Sequence, residues 1–200
     1  MTTLALLLLA ARMLAPATPA PVPVSVPSPQ DSAASVTRDG VTLPTQVDVE
    51  GHALVLNGTA TRKKFIVKVY VAGLYLPARE TDAGRILDAD EPRQLVMQFV
   101  HDVGKKKLCD AWNDGLEKNT PDASSELKAQ FDTLCSYMED IKKGDQFVFT
   151  YLPGTGTRVS VKGVEQGTIE GKDFADALFK VWIGPHPGPG EGFKKSLLGV

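Results

Sequence analysis

The sequence predicts an α+β fold built on a large antiparallel sheet, and three observations predict it. The longest apolar run, Asn57 to Pro77 (NGTATRKKFIVKVYVAGLYLP), is rich in β-branched and aromatic residues and has no helical repeat. It is expected as the central strand. Short strand-like segments meet at Glu50-Gly51 and Lys162-Gly163, pairings that favour tight hairpins. Apolar stripes at helical spacing follow Asp102, Pro121 and Glu170.

The N-terminus stands apart from that fold. MTTLALLLLAARMLAPATPA has an apolar run from Leu4 to Ala11, followed by small residues that offer a cleavage exit at Ala15-Pro-Ala17 or Ala17 to Ala20. Residues 1–20 are therefore expected to be an export signal, placing the mature protein in the periplasm. The run is shorter than the ~20 apolar residues that span a bilayer, and no later segment is expected to span one. Residues 21–36 are Pro, Ser, Ala and Val apart from Gln30 and Asp31, with too little to bury to offset ordering entropy, and read as a linker. The domain is expected over 37–200. Its 42% hydrophobic content suits one core. A net charge of -2 excludes the basic excess that nucleic-acid binding requires.

Taken in order, Thr42 to Val49 and His52 to Leu56 alternate as strands and feed the central one. There, Phe65, Val67, Val69 and Val71 are expected on one face and Ile66, Tyr70, Ala72 and Leu74 on the other, with both faces covered and these side chains directed inward. Gly73 marks a bulge or a close backbone approach, and Pro77 a stop. A short helix over 81–88 capped by Thr81 precedes a strand over 94–100. Asp102 caps a helix that sets Leu108, Ala111, Trp112 and Leu116 on one side. A second helix, 124–141, carries Leu127, Phe131, Leu134, Cys135, Met138 and Ile141, and Gly144 ends it. Strands over 146–152, 157–161 and 164–169 form a meander. A closing helix buries Phe174, Ala177, Leu178, Val181 and Trp182 before the Gly184-Pro185 break, and the tail ends in a short apolar turn.

Several chemistries are absent from the pattern. Asp173 follows Gly171-Lys172 where a phosphate loop needs Ser or Thr, and there is no GxSxG elbow. His52, His101 and His186 lack ligand spacing, so neither metal nor cofactor is expected. Positive charge in unusual places remains. Arg62 enters a covered strand, where a cation needs an anionic partner. Lys105, Lys106 and Lys107 occupy the first turn of a helix against the macrodipole, as an anion site or as a solvated surface. Cys109 and Cys135 lie equally far from Asp122, so an antiparallel helical hairpin would level their sulfurs. A disulfide is expected, with two small buried hydrophobes as the alternative.

Three segments in series, the central run, MQFVHDVGKKKLCDAWNDGLEKN and IEGKDFADALFKVWIGPHPGP, resemble the chalcone isomerase superfamily and its bacterial exported branch, over residues 41 to 199. The resemblance implies an open-faced β-sandwich, a large antiparallel sheet with helices packed on one face and a ligand cleft between. Asn57-Gly-Thr-Ala-Thr-Arg62 matches the family's Gly-x-Gly-x-Arg stretch at Gly58 and Arg62, with Ala60 at the second glycine position. That arginine meets a phenolate in the isomerases and a carboxylate in fatty-acid-binding relatives. The isomerase's tyrosine position holds Lys106, its asparagine position Asn113, and its two hydroxyl positions Tyr70 and Val181. Only Arg62 and Asn113 match, and losing the other polar groups removes charge stabilisation. The resemblance thus implies a cleft, around Arg62, Tyr70, Lys106, Asn113 and Val181, that binds a small amphipathic anion such as a fatty acid or aromatic acid without transforming it. Two other readings stay open: an intramolecular lyase or isomerase using Arg62 with Lys106 or Tyr70, and a periplasmic partner-binding module with a filled cleft and an unidentified protein partner.

Overall fold

A computed structural model describes residues 34–200. The expected signal and most of the expected linker, residues 1–33, lie outside the described residues. The described chain opens with a two-stranded ribbon, β1 (Ser35–Arg38) and β2 (Val41–Pro44), so regular structure begins two residues before Thr37. Next come β3 (Gln46–Val49), β4 (His52–Lys64) and β5 (Val67–Leu76), then α1 (Ala83–Asp88) and β6 (Arg93–Phe99). The helices α2 (Lys105–Asn119) and α3 (Ser125–Ser136) follow. A meander, β7 (Gln146–Leu152), β8 (Gly156–Val161) and β9 (Val164–Ile169), precedes α4 (Lys172–Ile183) and α5 (Glu191–Leu198). Strands β3 to β9 form one seven-stranded antiparallel sheet in chain order.

The sheet has two apolar faces. One carries Tyr70, Ala72, Leu74, Met97, Phe99 and Phe149 beneath α2, α4 and α5. The other carries Leu54, Leu56, Val71, Tyr75 and Val96 beneath Val41 and Leu43 of the β1–β2 ribbon. Helix α4 is buried almost all round, adding Ala175, Phe179 and Ile183 to the expected stripe. It therefore sits in the middle of the helical layer. No described helix is long and apolar enough to cross a membrane.

The expected central strand is two strands. β4 and β5 pair as a hairpin through Phe65 and Ile66, with Arg62 opposite Tyr70 and Ala60 opposite Ala72. A Phe-Ile turn lacks the Gly, Asn or Asp that normally marks a reversal, and Phe65 holds φ at 56°. Both side chains are almost wholly exposed, so the expected inward direction of Phe65 and Ile66 is corrected. The register shifts lie at Leu56/Gly58 and Arg62/Lys63, not at Gly73. At Gly73 a Cβ would stand 2.8 Å from Leu43 Cδ1, so it is a side chain of the ribbon and not another backbone that comes close there.

Smaller differences concern caps. Glu50 and Gly51 both take positive φ, as the expected β3–β4 turn requires. Asp82 rather than Thr81 caps α1, accepting from the Arg85 N–H at 3.0 Å. Gly104 rather than Asp102 precedes α2, and Asp102 instead accepts from the Lys143 N–H at 2.8 Å. Helix α3 stops at Ser136, short of 141, yet Met138 and Ile141 remain buried, Ile141 by bridging Val103.

Candidate functional site

The β4–β5 hairpin, the end of β6, α2 and α4 enclose a cleft of about 630 Å³. Antiparallel pairing places Arg62 and Tyr70 directly opposite one another, so their side chains leave the same face together. Both line the cleft. The Arg62 guanidinium donates from Nη1 to the Pro189 carbonyl at 3.0 Å, and no carboxylate lies within ion-pair distance of it among the described residues. The Pro189 contact fixes the guanidinium and leaves most of its five N–H donors unused. Tyr70 is buried, and its hydroxyl accepts from Trp182 Nε1 at 3.1 Å. Burial raises the phenol to about 12, while the indole N–H and the Arg62 charge pull it down. Tyr70 is therefore a neutral donor at physiological pH, with its own proton available.

Apolar side chains make the cleft's interior. Met97 and Phe99 rise from β6, Leu108 and Trp112 descend from α2, and Val181 with Trp182 comes from α4. Tyr70 and Phe99 pack at 5.6 Å between ring centroids. The charges at the edge divide unequally. Asp102, Asp110 and Asp114 line the cleft, but each is paired to a lysine that does not: Lys142 at 3.2 Å, Lys106 at 2.8 Å and Lys118 at 2.7 Å. Asp102 is held below the usual carboxylate range by the Lys143 backbone N–H and then by Lys142. The cleft's own cations Arg62, Lys64 and Lys107 have no carboxylate partner among the described residues. The cleft is thus apolar inside with uncompensated positive charge.

The structure brings three of the five expected ligand-contacting residues to this cleft: Arg62, Tyr70 and Val181. Lys106 and Asn113 are not among its lining. Lys106 is turned to solvent and paired with Asp110, and Asn113 is exposed. The helical period explains this. Lys107, Ala111 and Asp114 share the face over the cleft, whereas Lys106 and Asn113 sit one residue, about 100°, around. At the Lys105 to Lys107 turn, read from the sequence as either an anion site or a solvated surface, Asp140 Oδ1 accepts from the Lys105 backbone N–H at 2.9 Å. Of the triplet only Lys107 faces the cleft.

The disulfide expectation is overturned. Helices α2 and α3 do form the expected hairpin and bring Cys109 and Cys135 near one another, but both are free thiols. The Cys109 sulfur lies 3.8 Å from the Cys135 carbonyl oxygen. Burial, and then the Cys109 thiol, push the Cys135 thiol up to about 12.

Sequence reasoning missed His101 and Lys107 individually, and it assigned Trp112 and Trp182 only to the core. A cleft wall and a core stripe use the same residue types at the same spacing, so pattern alone cannot separate them. The signal that could have found the wall is the polar run Lys107, Asp110 and Asp114 beside an apolar stripe.

The sequence profile described as chalcone isomerase-like matches residues 35–199. No curated protein sequence matches the chain. Among solved structures, a fatty-acid binding protein from Arabidopsis thaliana superposes with a TM-score of 0.63 at 17% identity, covering 82% of this chain and 96% of that one. At that identity the likeness is one of fold. The profile match runs from the first strand of the ribbon to the end of α5, and on that span the chain belongs to the chalcone isomerase-like family.

Proposed function

We propose that this protein binds a small amphipathic anion, a fatty acid or an aromatic acid, in the cleft and does not transform it. The observation that carries the reading is the charge inequality: the lining carboxylates are already paired, and Arg62, Lys64 and Lys107 are not. A carboxylate placed between Arg62 and the Tyr70 hydroxyl would receive a charge-assisted bond and a neutral one. Its hydrocarbon would lie against Met97, Phe99 and Trp112. The cavity volume is in the ordinary range for small-molecule sites, about 300–1,000 Å³. The similar Arabidopsis structure is described as a fatty-acid binding protein, which supports the same ligand class. Isomerase chemistry by Arg62 with Lys106 has less support, because Lys106 and Asn113 stand outside the cleft, and Arg62 with Tyr70 alone lacks the further polar groups that would stabilise developing charge. An open cleft likewise disfavours a module filled by its own side chains.

Native mass spectrometry and solvent extraction of the purified protein test the reading directly, with a co-purifying organic acid as the expected result. The Arg62→Met variant then tests the anchor. It keeps the stem's packing and deletes the charge. Affinity for a long-chain fatty acid should fall by about 1.5–3 kcal/mol, the worth of a bond to a charged group. The melting temperature of the ligand-free protein should hold. Lost stability with unchanged affinity would make Arg62 scaffold and sink the assignment.

The same reading places the protein outside the cytoplasm, on the strength of the signal-like residues 1–20. Intact mass of the protein recovered from the producing cell's envelope fraction checks this. Recovery only of the uncleaved chain would count against it.

A further inference from the structure

The tip of the β4–β5 hairpin is an anomaly that the cleft alone does not explain. Phe65 is 93% exposed and Ile66 94% exposed, with Val67 beside them. These are large hydrophobes at a tight reversal, where glycine and asparagine cost least, and Phe65 adopts the left-handed region, which is unfavourable for an aromatic residue. Around them stand Lys63, Lys64 and Lys68, all exposed. Of these, Lys68 is paired with Asp39, and Lys63 and Lys64 have no carboxylate partner among the described residues. The hairpin belongs to the cleft: Lys64, Phe65 and Val67 line it. An apolar tip in a cationic collar matches a bilayer with anionic headgroups, the hydrophobes entering the acyl boundary while the lysines meet phosphates.

We propose that the Phe65–Ile66 tip docks this protein on an anionic phospholipid surface, with the cleft held at the membrane. The collar commits the proposal to lipid. A protein groove would accept the apolar tip, but would not require the lysines on either strand. Docking stands on the hairpin alone. Its use, transfer of an amphipathic anion between bilayer and cleft, rests on the ligand-binding reading above.

The test uses the full chain and vesicles of phosphatidylcholine with or without phosphatidylglycerol, scored by co-sedimentation. Val164, an exposed hydrophobe at another hairpin, supplies the control. The apolar run at Leu4 to Ala11 is common to every protein compared, so differences report the hairpin. Phe65→Ser with Ile66→Ser should lower binding to the anionic vesicles by about tenfold or more. Lys63→Ser with Lys64→Ser should lower it by about fivefold per lysine, and this part should vanish in high salt. Val164→Ser should change nothing. The four hairpin side chains are exposed, so melting temperatures should match the parent's.

Phe65→Trp gives a second readout, since Trp112 and Trp182 are buried. Its emission should shift to the blue and be quenched by brominated lipid. Equal vesicle binding by parent and double-serine variant, or no quenching at position 65, would overturn the proposal. So would a tip that instead pairs two copies, seen as concentration-dependent sedimentation without lipid that the double-serine variant abolishes while its vesicle binding persists. If docking holds but fluorescent fatty acid is not taken up from the vesicles, the ligand reading fails and the docking stands.

Discussion

Arg93 is the one charged residue in the buried core among the described residues, only 1% exposed. Its guanidinium lies between the Tyr151 and Phe179 rings, 4.9 Å from each centroid, donates to the Ile86 carbonyl at 2.8 Å and pairs with Asp176. Asp176 also holds Lys172 at 2.6 Å. The two partners are therefore unequal. Asp176→Ala strands a buried cation and should cost roughly 3–5 kcal/mol in urea unfolding. Arg93→Met leaves Asp176 with Lys172 and should cost distinctly less; equal losses would contradict this asymmetry. The sequence shows Arg93 only as a polar residue at a strand's start, so its burial was not legible. Arg62 was legible, because charge at the entrance to a covered strand demands a partner. Tyr70 gives a pH test. It is raised to about 12 by burial, as are Tyr75 and Tyr151, against an ordinary value near 10. Above pH 10 the unfolded chain loses phenolic protons that the folded chain keeps. Stability from these groups is therefore complete below about pH 10 and declines as pH rises through about 12. Phenolate absorbance during base titration should lag that of free tyrosine and rise with unfolding; early, fully reversible ionisation of all four tyrosines would refute it.

At the scale of elements, the site depends on how α5 seals β4. At Gly58 an added Cβ would stand 2.4 Å from the Ser196 carbonyl oxygen and 2.5 Å from that of Leu197. Neighbouring Asn57, at the register shift, donates to the Leu197 carbonyl at 3.0 Å and to that of Glu80 at 2.9 Å. Gly58→Ala must push the backbone of α5 outward, which should cost about 1–3 kcal/mol. Pro189, which holds Arg62, lies just before α5, so ligand affinity should fall as well. Unchanged stability by calorimetry would show that α5 yields freely. Gly58 was noticed in the sequence as part of a family motif, but the carbonyls that exclude a side chain there come from the far end of the chain and leave no local trace. The β4–β5 reversal was illegible for the opposite reason. Its turn residues are those of a strand, whereas Glu50-Gly51 and Lys162-Gly163 declared their turns through a glycine that takes positive φ at little cost.

Considered as a whole molecule, the sheet runs in strict chain order, each strand beside its predecessor, with α2 and α3 as the main excursion between β6 and β7. Most of the sheet can therefore assemble by closing short loops, which favours early and rapid pairing. The seal of α5 on β4 is different, since Asn57 and Leu197 are 140 residues apart. Its closure carries the larger entropic penalty and belongs late on the folding route. Leu197 is fully buried, so Leu197→Ala should cost about 2–5 kcal/mol. Nearly all of that loss should appear as faster unfolding, with the refolding limb of the chevron unmoved. A refolding rate that slows in proportion would place the seal in the nucleus instead. A seal that forms last is also the first to open, so the wall that fixes Arg62 can part while the meander stays intact. Hydrogen exchange in α5 should then outpace that in β6 and β7, giving the cleft a door whose opening requires no loss of the sheet.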